Sequence, residues 1–192
     1  MKLAKLALAG LILLAASFAS AQTLIERLYV MRVDKTVFDQ ISGMNHTCVL
    51  VYPDGRLRIE KTYQHNDGGD PDTKVYLDKL ADADLKALEA VLDDQPFQDI
   101  KTDPPHGGIV KDMDTLNISV PREHLMQNIA FVNAAERKPF EKALKPFQNS
   151  LKNLEKRKIP VAKTEKSDNC EAPRVVYRTK ITAGPSDDKP QP

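Results

Sequence analysis

The sequence predicts an α+β domain, an antiparallel sheet of four to five strands with two helices packed on one face. Three observations carry this. Two β-forming runs flank the turn Pro53-Asp54-Gly55. A second alternating pair occupies Thr115–Val120 and Leu125–Val132. Two stretches place apolar residues at helical spacing, which gives each helix one face to bury.

The first element is a strand over Leu24–Val33. Tyr29, Met31 and Val33 alternate, as do Leu28 and Val30. A helix over Thr23–Tyr29 competes, since Leu24, Ile25 and Leu28 also fit the helical period. Thr47–Tyr52 is the next strand. Pro53 fixes φ, Gly55 takes the positive φ that closes the loop, and the chain returns through Arg56–Tyr63. Leu57, Ile59 and Lys61 share one side; Arg56, Arg58 and Glu60 share the other, solvated one. Residues 64–73 read as a polar loop.

Asp82 is the expected N-cap of the first helix, with Asp84 where the macrodipole favours negative charge. Leu85, Leu88, Val91 and Leu92 make its stripe. Pro96 stops it, and Phe97 packs under its end. Residues 101–112 form a loop. After the second hairpin, joined by Pro121-Arg122-Glu123-His124, a second helix spans Pro139–Lys156. Its apolar face is Phe140, Leu144, Phe147, Leu151 and Leu154. Pro146 must kink this helix or begin another. Arg174–Ile181 fits a short edge strand, and residues 183–192 have the composition of a disordered end.

Residues 1–21 carry the pattern of an export signal. Lys2 and Lys5 precede an apolar run from Leu6 to Ala16, and Ala19-Ser20-Ala21 supplies small residues for cleavage before Gln22. The run is too short for a permanent membrane span. The expected division is a removed signal, a single domain over 22–160, and a polar tail over 161–192. The predicted location is periplasmic or secreted, with no membrane insertion once the signal is gone.

Removing 21 residues from 192 leaves 171, enough for one domain with a real core. Without Lys2 and Lys5 the chain has 26 basic and 27 acidic residues, a balance unlike that of a nucleic-acid binder. Cys48 and Cys170 are the two cysteines, and in an oxidising compartment they predict one disulfide that ties the tail back. Two separate buried thiols, or a thiol facing a partner chain, are the alternatives.

No catalytic, cofactor or metal motif emerges. Asp67, Asp70 and Asp72 lack the closing ligand of a calcium loop. His46, His65, His106 and His124 fit no metal spacing and fall in expected loops or turns. A disulfide at Cys48 removes the thiolate that a pair with His46 would need. Serine hydrolase and phosphate-loop motifs do not occur. Asn45-His46-Thr47 and Asn117-Ile118-Ser119 match the glycosylation pattern, though Asn117 falls in an expected strand.

Charge is segregated along the chain. Residues 60–103 hold 12 acidic and 5 basic side chains; residues 136–180 hold 13 basic and 6 acidic. The two stretches face each other, or the lysines and arginines solvate one helix, or the basic stretch is a patch for an anionic envelope polymer or an acidic partner.

With its export signal, its hairpin turning at Pro53-Asp54-Gly55 and its helix ending at Gln95-Pro96-Phe97, the chain resembles small exported bacterial domains of unknown function over about residues 45–100. The resemblance brings no catalytic residues. The expected function is an exported, non-catalytic binding or interaction module without a cofactor. Its expected partner is an envelope protein or an anionic envelope polymer. The alternative is an envelope hydrolase whose site is built from loop carboxylates.

Overall fold

A computed structural model describes residues 22–25, 28–102, 113–162, 170 and 177–180. Residues 1–21, where the export signal is expected, residues 103–112 of the expected second loop, and the last twelve residues lie outside the described residues.

The class is α+β, and the main sheet has six antiparallel strands rather than four or five. They are β2 (Met31–Asp39), β3 (Gly43–Val51), β4 (Arg56–Gln64), β5 (Asp72–Lys79), β6 (Met113–Pro121) and β7 (Met126–Phe131), in the spatial order β5-β4-β3-β2-β6-β7. The strand absent from the sequence reading is β5. Its Asp72, Lys74, Asp78 and Lys79 dilute the β signal, as charged residues do on an edge strand. The expected loop therefore shortens to residues 65–71.

The expected Leu24–Val33 strand is two elements. β1 (Gln22–Ile25) pairs with β8 (Tyr177–Lys180) in a separate two-stranded sheet, and β2 begins only at Met31. The expected tail strand thus joins the chain's other end, not an edge of the main sheet. β2 and β3 form a longer hairpin than expected. Asp39 closes it by accepting the backbone N–H groups of Ile41 and Ser42, each at 2.8 Å.

One row of side chains crosses the whole sheet: Tyr76, Ile59, Val49, Val33, Ile118 and Ile129. This row and its neighbours form the floor of the core. The roof comes from the connection between β5 and β6, which must cross from one side of the sheet to the other. That connection carries α1 (Asp82–Leu92) and α2 (Gln95–Gln98). Ala81, not Asp82, occupies the N-cap; Asp82 and Asp84 are the acidic residues of the first turn. Pro96 opens α2, and Phe97 is fully buried with its ring 5.2 Å from that of Phe147.

After β7, α3 (Ala134–Arg137) and a 3₁₀ turn (Lys138–Phe140) lead into α4 (Glu141–Glu155). Asn133 caps α3, its side chain accepting from the N–H groups of Ala135 and Glu136. The helix continues through Pro146, so the missing N–H breaks one hydrogen bond without ending it. Leu144, Phe147, Leu151 and Leu154 are buried, as their spacing requires, and Phe140 packs at the margin. Beyond α4 the chain returns to the β5 edge, where the Ala162 N–H donates to the Val75 carbonyl at 2.7 Å.

The alternation of Arg56, Arg58 and Glu60 predicts a solvated opposite face. In part it is covered. Tyr29, Cys48, Leu50 and Cys170 form a second buried cluster there, and Arg58 is 9% exposed.

Candidate functional site

Cys48 and Cys170 lie at disulfide distance, with Cα atoms 6.2 Å apart. Cys48 sits mid-strand on the outer face. The sheet register brackets it between Glu60 on β4 and Asp34 on β2, while Leu50 lies between Arg58 and Arg32. Arg58 binds Glu60 at 2.9 Å, and the Arg32 guanidinium donates to Asp34 at 3.1 Å. Two ion pairs therefore flank the cysteine on either side. They neutralise each other along their own strands, which suits a partly covered surface.

His46 lies in β3, not in a loop, and its Nε2 is 3.4 Å from Asp34 Oδ1. It shares the outer face with Cys48, whose sulfur is engaged with Cys170. His65 packs its ring edge against Tyr63, His124 lies 3.7 Å from Glu123 in the second turn, and His106 is outside the described residues. Asp67 accepts from the Gly69 N–H, and Asp72 pairs with Lys74 at 3.4 Å. Among the described residues, no three His, Cys, Asp or Glu side chains gather as a metal group.

The carboxyls with displaced titration have structural causes. Asp39 is held below the usual carboxylate range by the Ser42 and Ile41 N–H groups and the Ser42 hydroxyl. Asp54 is lowered by the Arg56 N–H and then by its guanidinium, inside the Pro53-Asp54-Gly55 turn. Asp78 is lowered by the Lys79 N–H and by Arg157, whose own proton is held more tightly in return. These groups close turns and join elements.

Charge segregation has a mixed outcome. Arg157 bridges the basic and acidic stretches, donating to Asp78 at 2.7 Å and to Asp84 at 3.4 Å. The lysines of α4 and its C-cap Lys156 do not follow it. Lys142, Lys145, Asn149, Lys152 and Lys156 step by three, four, three and four, and all are exposed. At 3.6 residues per turn their mean direction is roughly 160° from the buried stripe. Glu141 and Glu155 fall to one side of the lysine line. None of the four lysines has an ion pair among the described residues. The result is a cationic ridge along most of the helix, about 20 Å long at 1.5 Å per residue. The basic stretch is evident from residue counts alone; the alignment of its lysines is not. The signal was present as a second three-four period beside the apolar one.

This is a small sheet-and-helix domain with a cysteine pair on one face and a lysine ridge on the other. No protein-family model matches the chain, and no curated protein matches it. No described helix is long and apolar enough to cross a membrane.

Proposed function

We propose that the chain is an exported binding module that holds an anionic polymer of the cell envelope against the outward face of α4, without catalysing a reaction. The observation that carries this is the alignment of Lys142, Lys145, Lys152 and Lys156, exposed and without acidic partners among the described residues. A helix needs polar residues on its outer face, but it does not need them all of one sign. Intermixed charges give the same solubility with less self-repulsion. The displaced carboxyls support the same reading, because each is occupied in a turn or an ion pair. The export pattern and the cysteine pair support action outside the cytoplasm.

The test is retention of the secreted chain on envelope polymer. The chain should co-sediment with an anionic envelope fraction and be released by high salt. The Lys142→Gln, Lys145→Gln, Lys152→Gln, Lys156→Gln variant should lose retention while melting as the parent does. Equal retention of that variant would refute the ridge as the binding surface. Intact mass should show loss of residues 1–21, and a full-length cytoplasmic product would refute the location.

A further inference from the structure

We infer that the lysine row on the inner face of the sheet is a second subsite for the same ligand, and that the ligand is a linear phosphate-bearing polymer. This rests on the binding role proposed for α4. The register places Lys74 opposite Lys61, Lys61 opposite Thr47, Thr47 opposite Lys35, and Lys35 opposite Leu116. These residues form one line across the sheet, one step beyond the buried row that holds Ile59 and Val33. Strands lie about 4.8 Å apart, so three ammonium-bearing side chains start within about 15 Å of one another.

Lys61 and Lys74 are exposed, and Lys35 is half-buried. Like charges directly opposite in a sheet are unfavourable. Lys61 and Lys74 stand in that relation. Asp72 lies 3.4 Å from Lys74, and the Lys61 ammonium lies 5.7 Å from the Tyr76 ring centroid, a neutral partner. An anion laid along the row removes the repulsion.

The row leads towards α4. Lys35 and Lys152 line one groove of about 500 Å³ between the sheet and that helix, together with Val37, Asp114, Arg137 and Leu151. Arg137 is committed to Asp114 there. Glu155 borders the groove and is the acidic group a ligand must pass. The cationic surface therefore runs from the β5 edge, through Lys35 and Lys152, onto the ridge. Its length selects a chain of charges over a single anion.

The side-chain chemistry suits phosphate. The contacts on offer are lysines, compact point charges with freely turning donors. The guanidinium fork suits planar carboxylates and phosphates alike, and the one in this groove is already used by Asp114, which leaves point-charge ammonium donors of the kind that hold phosphate without a fork.

The test is titration of the secreted chain with inorganic polyphosphate, with hyaluronate as the polycarboxylate control. Three proteins are compared: the parent, the Lys35→Gln, Lys61→Gln variant, and the Lys142→Gln, Lys145→Gln variant. One lysine against an anionic surface is worth about five-fold in affinity, so the sheet variant, which loses two, should bind polyphosphate about twenty-five-fold more weakly. Its melting temperature should equal or exceed that of the parent, because a like-charge pair has been removed. Unchanged affinity in the sheet variant, with loss in the helix variant, would overturn the second subsite and leave the ridge standing. Hyaluronate bound as tightly as polyphosphate would overturn the phosphate assignment. Failure of the parent to bind either polymer would overturn both this inference and the reading of α4.

Discussion

Gln127 on β7 donates its side-chain amide to the carbonyls of Phe97 at 3.0 Å and Gln98 at 3.1 Å, binding the far sheet edge to the turn of helix α2. Its Oε1 accepts from Arg122 Nη2 at 2.6 Å, and the same nitrogen caps α1 through the Leu92 carbonyl. Two side chains of the second hairpin thus satisfy carbonyls that the helix ends leave open. Gln127→Ala should cost about 1–3 kcal/mol, because buried acceptors lose their donor and no water replaces it fully. Urea unfolding is the measurement, and an unchanged midpoint would show that the network carries no stability.

Gly43 has φ +103° and begins β3. A Cβ there would stand 2.3 Å from the Gln64 carbonyl oxygen, a contact with backbone that cannot swing away. Gly43→Ala should destabilise the domain by about 1–3 kcal/mol or displace β4 from the β2–β3 hairpin. Gly68, at φ +79°, has open space around the same position, so Gly68→Ala should cost less. Equal melting losses in the two variants would contradict the steric argument.

The cysteine pair closes a loop of 122 positions. The chain-entropy relation gives about 4–5 kcal/mol for such a loop as an upper bound, since residual structure in the unfolded chain lowers it. Non-reducing peptide mapping of the protein made in an oxidising compartment should recover the two cysteine peptides joined, and reductant should lower the melting temperature. Two free thiols with stability indifferent to reductant would reject the bond.

The Asp78–Arg157 contact ties β5 to the end of α4 and should weaken in acid. Asp78 titrates below the ordinary carboxylate range in the folded chain. Its contribution is therefore complete above the unfolded value near 4 and is lost as pH falls through the folded value. Both partners are about one-third exposed, which limits the contact to about 1 kcal/mol or less. Asp78→Asn should lower stability slightly at pH 7 and leave it nearly unchanged at pH 2. A difference that persisted at pH 2 would assign the effect to packing.

Elements whose pattern is local are legible from the residues alone. Pro53 and Gly55 fix the tight turn through their own φ preferences, and Leu144 to Leu154 fix the buried face of α4 by spacing. The second hairpin was legible for the same reason, since Leu116, Ile118 and Val120 alternate. What depended on distant chain was not legible. Asp72–Lys79 becomes a strand because Arg56–Gln64 offers it a hydrogen-bonding edge, and its own charged residues argue against that state. Gln22–Ile25 leaves the expected long strand because its partner is Tyr177–Lys180, more than 150 positions away. The lysine ridge needed only the helical period. The lysine row needed the register, because Lys35, Lys61 and Lys74 share no local pattern. Only the lateral pairing of β2 to β5 brings those like charges into one line, and pairing between strands is decided by tertiary hydrogen bonding, not by the residues beside each lysine.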